Sequence, residues 1–375
     1  MSTWKKGHTN YSRDLISTDE EMGAEPTVRP FETNLGAKIY QLPLEAFPGF
    51  WAFAYLVLVD GGELGPMCVL IDTGSGFGNS NEYLETGLQK AAELSNEPVG
   101  FEYLTHIFIT HGHIDHIGGL AYVRPRSQAM LGVHELDKRN LTHYEERVTI
   151  VSLRLERFFI EAGVSPERCA NLIELYKLNK GLFHSIDVDF TYEAIGMKVG
   201  PFEISHMPGH CAGHVVIQLD DVLFSGDHVL DGISPHQSPE HLTLSTGLEH
   251  YLNSLELLGG RTNNVRMMLP GHNDVVTDLP KRIAEIKDIH QERLEKVIEF
   301  LSEPHTIVEV SMFLFGEVHG YNVLLALEEA GAHVEYLYQR GLLCIENLAE
   351  LDDSYAPVAI RYRKQHEYIE RVVEC

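Results

Sequence analysis

From Ala37 onward the chain sets short apolar runs between glycine-rich breaks. Lys38 to Leu44, Ala52 to Val59 and Met67 to Ile71, with Gly61-Gly62 and Gly65-Pro66 among the breaks, predict consecutive strands joined by turns. The period then changes: Leu84, Leu88, Ala91 and Ala92 recur at helical spacing within Asn81 to Leu94. Ile107-Phe108-Ile109 predicts the end of a buried strand, and Ser127 to Val133 another, so strand, helix and strand repeat as in a layered α/β domain. From His134 to Gly181 the pattern is helical. Val148, Val151, Leu155, Phe158 and Ala162 share one face, and Leu172, Ile173 and Tyr176 mark a second helix after Pro166. This inserted helical pair is open to two readings: peripheral packing, or a lid over a neighbouring site with Phe158 and Phe159 supplying apolar surface. Strands resume at Asp187 to Ile195, Met197 to His206, Val215 to Leu219, Val222 to Ser225 and Val265 to Pro270.

The carboxyl-terminal part changes character. Pro280 to Leu301 and Tyr321 to Arg340 predict helices, and Thr306 with Glu309 forms a capping-box signature for a helix between them. Leu342 to Ile345 and Val358 to Tyr362 predict two strands flanking an acidic turn. Residues 1–34, polar and broken by Pro26 and Pro30, predict an extension that wraps the surface or stays mobile. The expected division is therefore 1–34, a main domain 35–278 with its insert at 134–181, and a smaller domain 279–375.

Candidate chemistry concentrates after the central strand. Thr110 to Gly119 reads THGHIDHIGG, placing His111, His113, Asp115 and His116 within six positions, with glycines that let the chain turn sharply. Imidazoles and a carboxylate converging at a strand's end suit a borderline divalent metal, zinc by default. His210 in Pro208-Gly209-His210, Asp227 after Ser225-Gly226 and His272 after Gly271 also follow predicted strands, the layout in which a rigid sheet positions a site. Asp72, ending the third strand in Asp-Thr-Gly, reads either as a turn or cap residue or as a carboxylate orienting one of these histidines.

Composition narrows the partners. The formal charge of −26 disfavours extended nucleic acid, because such a surface repels phosphate backbones. No apolar stretch is long enough to cross a bilayer. The amino-terminal residues lack a secretory pattern, and five widely spaced cysteines read as free thiols, so a cytoplasmic location is expected.

His111-x-His113-x-Asp115-His116, followed in order by His210 in MPGHCAGH, Asp227 in SGD and His272 in LPGH, and preceded by Asp72 in DTG, resembles the signature of the metallo-β-lactamase superfamily. The resemblance runs from about residue 35 to 275 and is similar to the glyoxalase II-like branch. It implies a four-layer αββα sandwich and hydrolysis by a hydroxide held between two metal ions. His111, His113 and His210 would hold one ion and Asp115, His116 and His272 the other, with Asp227 between them. Seven donors around one zinc would exceed its usual four, which independently favours two ions. Zinc is expected, with iron or manganese as alternatives. Asp115 would also orient the hydroxide and relay its proton. The spacing of His214 from His210 resembles that of a residue supporting the ligands in relatives, so Asp115 and His214 are the catalytic candidates. Cys211 departs from the threonine common at its position.

The smaller domain resembles the winged helix appended to one branch of the superfamily. Its candidate recognition helix carries Glu328, Glu329 and Glu335, so packing against the main domain or contact with a second copy in a homodimer is expected rather than nucleic-acid binding. A small organic ester, thioester or lactone is the expected substrate. Relatives with the appended domain include endoribonucleases and thioesterases, which makes RNA or another phosphodiester the alternative. Oxidation of a persulfide at a single iron is a second alternative.

Overall fold

The computed structural model describes residues 27–181, 183–261, 264–352 and 356–365. Seven strands form the first sheet in chain order: β1 (Arg29–Glu32), β2 (Lys38–Phe47), β3 (Phe50–Asp60), β4 (Pro66–Ile71), β5 (His106–Phe108), β6 (Met130–Val133) and β7 (Phe190–Thr191). β1 to β4 pair antiparallel, whereas β4 to β7 run parallel. The second sheet has five strands: β8 (Lys198–Val199), β9 (Phe202–His206), β10 (Val215–Leu219), β11 (Val222–Gly226) and β12 (Met267–Pro270). Only β11 and β12 are parallel within it.

Side-chain alternation along these strands divides the interior into three cores, which is what makes four layers. In β3, Tyr55 and Val57 face the second sheet and meet Val215, Ile217, Phe224 and Leu269. Ala54, Leu56 and Leu58 point the other way, onto Leu84, Leu88 and Ala91 of α1 (Ser80–Ser95). On the far side of the second sheet, Val216, Leu223 and Met268 belong to a core with the helices of residues 144–180, 248–259 and 279–339. The expected αββα sandwich is the observed fold.

Between β5 and β6 lie two single-turn helices, α2 (Ile114–Ile117) and α3 (Leu120–Val123). The insert holds three helices rather than a pair: α4 (Glu135–Thr142), α5 (Tyr144–Glu161) and α6 (Pro166–Lys180). α7 (Leu248–Gly259) adds a helix not expected from the sequence; its Leu248, Tyr251, Leu255 and Leu258 are buried. α8 (Leu279–Phe300), α9 (Ile307–Phe315) and α10 (Asn322–Gln339) match expectation, including the Thr306–Glu309 capping box. They are followed by an antiparallel pair, β13 (Leu343–Ile345) and β14 (Tyr362–Lys364), with α11 (Leu348–Asp352) between them where an acidic turn was expected.

Several expectations are corrected. Arg29–Glu32 pairs on the sheet edge instead of wandering over the surface, and Pro30 is tolerated there because an edge strand has one unpaired side. Residues 1–26 of the expected extension lie outside the described residues. The run Asp187 to Ile195 yields only Phe190–Thr191 before a 3₁₀ turn, and Met197 to His206 splits into β8 and β9 at Gly200, whose φ is 52°. The strand expected over Val358 to Tyr362 begins only at Tyr362. Phe158 and Phe159 do not supply a lid: both are buried in the core shared with α8 to α10, with Phe158 against His241.

Candidate metal centre

Each donor sits just beyond the carboxyl end of a strand. His111, His113, Asp115 and His116 follow β5, His210 follows β9, Asp227 follows β11 and His272 follows β12. The loops can approach so closely because Gly118 and Gly119 lie against the Thr73 and Ser75 carbonyls, leaving no room for a β-carbon. A side chain at Gly271 would likewise collide with Asp227 and the His116 ring.

The seven side chains converge in two groups that share Asp227. One is His111, His113, His210 and Asp227; the other is Asp115, His116, His272 and Asp227, and within each group the donor atoms lie within 4.8 Å of one another. His272 Nε2 is 3.3 Å from both Asp115 Oδ2 and Asp227 Oδ2, and His116 Nε2 is 3.4 Å from Asp227 Oδ1. Metal–donor bonds of about 2.0–2.2 Å in a tetrahedron put donors roughly 3.5 Å apart, so both groups match the scale of one cation each.

Hydrogen bonds at the back of the rings decide which nitrogen faces inward. His116 Nδ1 is 2.9 Å from Asp72 Oδ2, His210 Nδ1 2.8 Å from the His236 carbonyl and His272 Nδ1 2.7 Å from the Trp51 carbonyl. Each such acceptor fixes the proton on Nδ1 and leaves Nε2 as a lone-pair donor. His113 is reversed: its Nδ1 meets His111 Nε2 at 3.1 Å, and its Nε2 lies 3.3 Å from Cys211 Sγ. With Nδ1 inward, His113 Nε2 carries the proton and Cys211 accepts it weakly, so the thiol is a hydrogen-bond partner here. Buried His116 Nε2, His210 Nε2 and Asp227 Oδ1 make no hydrogen bond, which suits atoms that ligate a cation.

Electrostatics separates the groups. Burial pushes His111 and His113 well below the ordinary imidazole range, and His210 lower as well, so these rings are neutral and ready to ligate. Burial also opposes charge on His116 and His272, but Asp227 and Asp115 lift His116 well above its usual value and His272 to about 10. The same histidines outweigh burial at Asp115 and Asp227 and hold both carboxyls well below the usual range.

The supporting residues are mostly tertiary. Asp72 has φ 59° and accepts from Thr110 N at 2.8 Å and Thr110 Oγ1 at 2.7 Å as well as facing His116, so of its two readings the orienting one describes it. His214 is fully buried, stacked on His111 at 4.8 Å, and its Nε2 accepts the Asp227 N–H at 3.1 Å. It therefore positions Asp227 from behind rather than facing substrate, which corrects its place among the catalytic candidates. Asp137 was not anticipated: buried in α4, it accepts from Gly112 N at 2.8 Å and Gly213 N at 3.0 Å, joining the two ligand loops. Nothing distinguishes it in sequence from its acidic neighbour Glu135.

The carboxyl-terminal helices reach the same site. Glu335 of α10 accepts from Glu240 N at 2.6 Å and Glu329 from Gln237 N at 2.7 Å and Arg293 at 2.9 Å. Glu328 lies 3.6 Å from the ring of His236, whose carbonyl holds His210. Burial pushes the Glu328 carboxyl up to about 7. Below about pH 4.5 both folded and unfolded chains protonate it. As pH rises towards 7 only the unfolded chain ionises, so wild-type stability falls over that interval and stays lower above it. Glu328→Gln, compared with wild type by denaturant unfolding of chelator-treated protein, should be neutral near pH 4 and stabilising by about 1–3 kcal/mol near pH 8. A difference independent of pH would remove burial of this carboxyl as the cause.

A sequence-family model for the metallo-β-lactamase superfamily matches residues 53–272. The chain belongs to that superfamily. A metallo-β-lactamase family protein of Thermus thermophilus superposes with a TM-score of 0.69 at 25% identity, covering 87% of this chain and 98% of that one. A β-lactamase domain protein of Burkholderia ambifaria shares the fold, with a TM-score of 0.66 and 21% identity over 90% and 94% of the two chains. Among curated relatives, a β-lactamase-like protein 2 homolog of Caenorhabditis elegans is 24% identical over 65% of each chain. An atrochrysone carboxyl ACP thioesterase of Aspergillus chevalieri is 31% identical over 100 residues, 26% of this chain and 29% of that protein. The chain thus spans less than two thirds of the length of these curated relatives. Among the described residues no helix is long and apolar enough to cross a membrane.

Proposed function

We propose that this chain is a dinuclear metal-dependent hydrolase that cleaves an ester, thioester or lactone of a small organic substrate. The observation that carries the reading is the pair of donor groups sharing Asp227, each the size of one cation. Two zinc ions bound there would polarise a carbonyl oxygen and lower the pKa of a water towards neutrality. The chain's own residues do the rest. Asp227, held by His214, keeps the two groups in register. Asp115, which with His113 is less deeply buried than the other donors and has 15% of its side chain exposed, is reachable by substrate, and its carboxylate can orient a water and pass its proton to the leaving oxygen or sulfur. Phe50 packs on the His272 ring at 4.7 Å and gives the centre an apolar wall.

The thioesterase name of the Aspergillus relative supports the thioester among these bonds. The net charge of −26 argues against RNA, and α10 turns Glu329 and Glu335 onto the main domain instead of offering a basic face to a phosphate backbone. A cytoplasmic small-molecule enzyme without nucleic-acid partners fits these features. Elemental analysis of protein purified without added metal should give about two divalent ions per chain, mostly zinc. Turnover of a neutral thioester should change little as salt is raised, whereas hydrolysis of RNA would collapse. One ion per chain, identified as iron, would replace this reading with persulfide oxidation.

A further inference from the structure

The shared ligand Asp227 and the acceptor that orients His210 lie at one irregular stretch of chain. Residues 228–245 form no helix or strand, so no ladder fixes their backbone groups. Much of what holds them comes from α8 and α10. Arg282 donates from Nε to the Leu230 carbonyl and from Nη2 to the Ile233 carbonyl, both at 2.6 Å. Arg293 Nη1 donates to Ser234 Oγ at 2.9 Å, and the Gln237 N–H donates to Glu329 Oε2 at 2.7 Å. The same Nη1 meets Glu329 Oε1 at 2.9 Å, in an ion pair whose side chains are only 4% and 1% exposed. Between the two gripped residues lie Pro235 and His236. The His236 carbonyl accepts the His210 Nδ1–H at 2.8 Å, and its ring Nε2 lies 3.2 Å from the Leu325 carbonyl of α10.

A buried ion pair is a poor device for stability, because desolvating two charges offsets most of their attraction and apolar side chains of similar volume serve as well. Apolar side chains could not hydrogen-bond the loop. Arg293 and Glu329 each make one further contact with it, two residues before His236 and one residue after, and the fixed φ of Pro235 stiffens the link between them. Moving the His236 carbonyl therefore means breaking a charge-assisted hydrogen bond to a buried ion. That carbonyl fixes the His210 tautomer and ring plane, and partners of this kind are worth about ten- to a hundredfold in metal affinity. His116 and His272 take their acceptors elsewhere, from Asp72 and the Trp51 carbonyl.

We propose that Arg293 and Glu329 are positioning residues for His210, so that the zinc affinity of the three-histidine group, and not that of its neighbour, is set from the carboxyl-terminal helices. This rests on the two-ion hydrolase reading above and adds to it a part for those helices in loading the centre, whichever bond is cleaved.

The test is a zinc titration of chelator-treated full-length protein against a chromophoric chelator, in two backgrounds. His272→Ala leaves the three-histidine group whole and disables the other; His210→Ala does the converse. Arg293→Met combined with Glu329→Met replaces the ion pair by apolar side chains, which keeps the interior filled and removes both contacts to the loop. In the His272→Ala background this pair should weaken zinc about ten- to a hundredfold, and in the His210→Ala background the change should stay within about twofold. Val334→Ala, which opens a cavity in α10 and removes no hydrogen bond, should leave both affinities within about twofold. If the paired substitution unfolds the chain, Ser234→Ala deletes one oxygen, leaves the ion pair whole and carries the same comparison, with a loss of about threefold confined to the His272→Ala background. Equal losses in both backgrounds, no loss in His272→Ala, or a matching loss from Val334→Ala would each overturn the proposal. Selective loss in a protein that turns over no thioester would leave the positioning role standing and remove the hydrolase reading. Zinc-dependent turnover with affinity indifferent to the pair gives the reverse, and zinc bound in neither background would remove both.

Discussion

Asp227→Ala is expected to retain no more than about one divalent ion per chain and to lose about a thousandfold or more in kcat/KM. No other residue belongs to both donor groups: its Oδ2 lies 3.3 Å from His272 Nε2 and 3.7 Å from His210 Nε2, while Oδ1 faces His116 Nε2. Its loss would leave three donors in each group and remove the charge that His116 and His272 share with Asp115. The group of three histidines should suffer less, because burial already keeps His111, His113 and His210 neutral. The residual ion should therefore sit with them. Elemental analysis alongside thioester kinetics reads both effects; two ions per chain in Asp227→Ala would refute the shared-ligand arrangement. The fold should survive, since Asp227 contributes no side chain to any of the three cores.

The donors were legible in the sequence for a local reason. A strand that runs into a sharp turn carrying His or Asp presents that side chain at the sheet's edge wherever the strand lies, so His111 to His116, Asp227 and His272 could be read one segment at a time. His210 needed only its turn. What supports them could not be read this way. Asp137 matters because α4 brings it between Gly112 and Gly213, a contact across 76 positions that leaves no periodic trace. His214 shows the same limit: its spacing in MPGHCAGH is visible, but whether it faces the cleft or the back of His111 depends on how two sheets meet.

Polarity misled in the helices. The lid reading of the insert gave Phe158 exposed apolar surface over the site, and nothing in the sequence marks Glu329 as a buried carboxylate, but both are buried in contacts made by the carboxyl-terminal helices. Glu329 is acceptable there because Arg293 and the Gln237 amide satisfy it. The apparent acidic face of α10 is therefore a set of acceptors for the backbone of residues 237–241, and this loop begins beside the His236 carbonyl that orients His210. Of the two places the sequence left open for this helix, the main domain and a second copy, its carboxylates take the first and brace the loop behind a metal-centre histidine.

Asp115→Asn should separate ligation from proton transfer at the residue where the two coincide. The side chain starts from a single-turn helix whose N-cap is His113, so its backbone position is fixed by neighbouring ligands and asparagine preserves its shape. Oδ2 is 3.3 Å from His272 Nε2 and 3.8 Å from His116 Nε2, close enough to share a cation with both, while the partly exposed carboxylate can also meet substrate. His116 and His272 hold it ionised against burial, which is the state that accepts a proton. An amide keeps an oxygen for ligation but can neither take that proton nor carry it to a leaving group. At metal concentrations that restore two ions per chain, kcat should still fall by about a hundred- to ten-thousandfold with KM little changed. A leaving group that needs no protonation, such as an aryl thiolate, should recover a large part of the loss because proton delivery is then dispensable. Full activity at full occupancy would confine Asp115 to ligation, and equal losses on alkyl and aryl thioesters would confine its proton transfer to the attacking water.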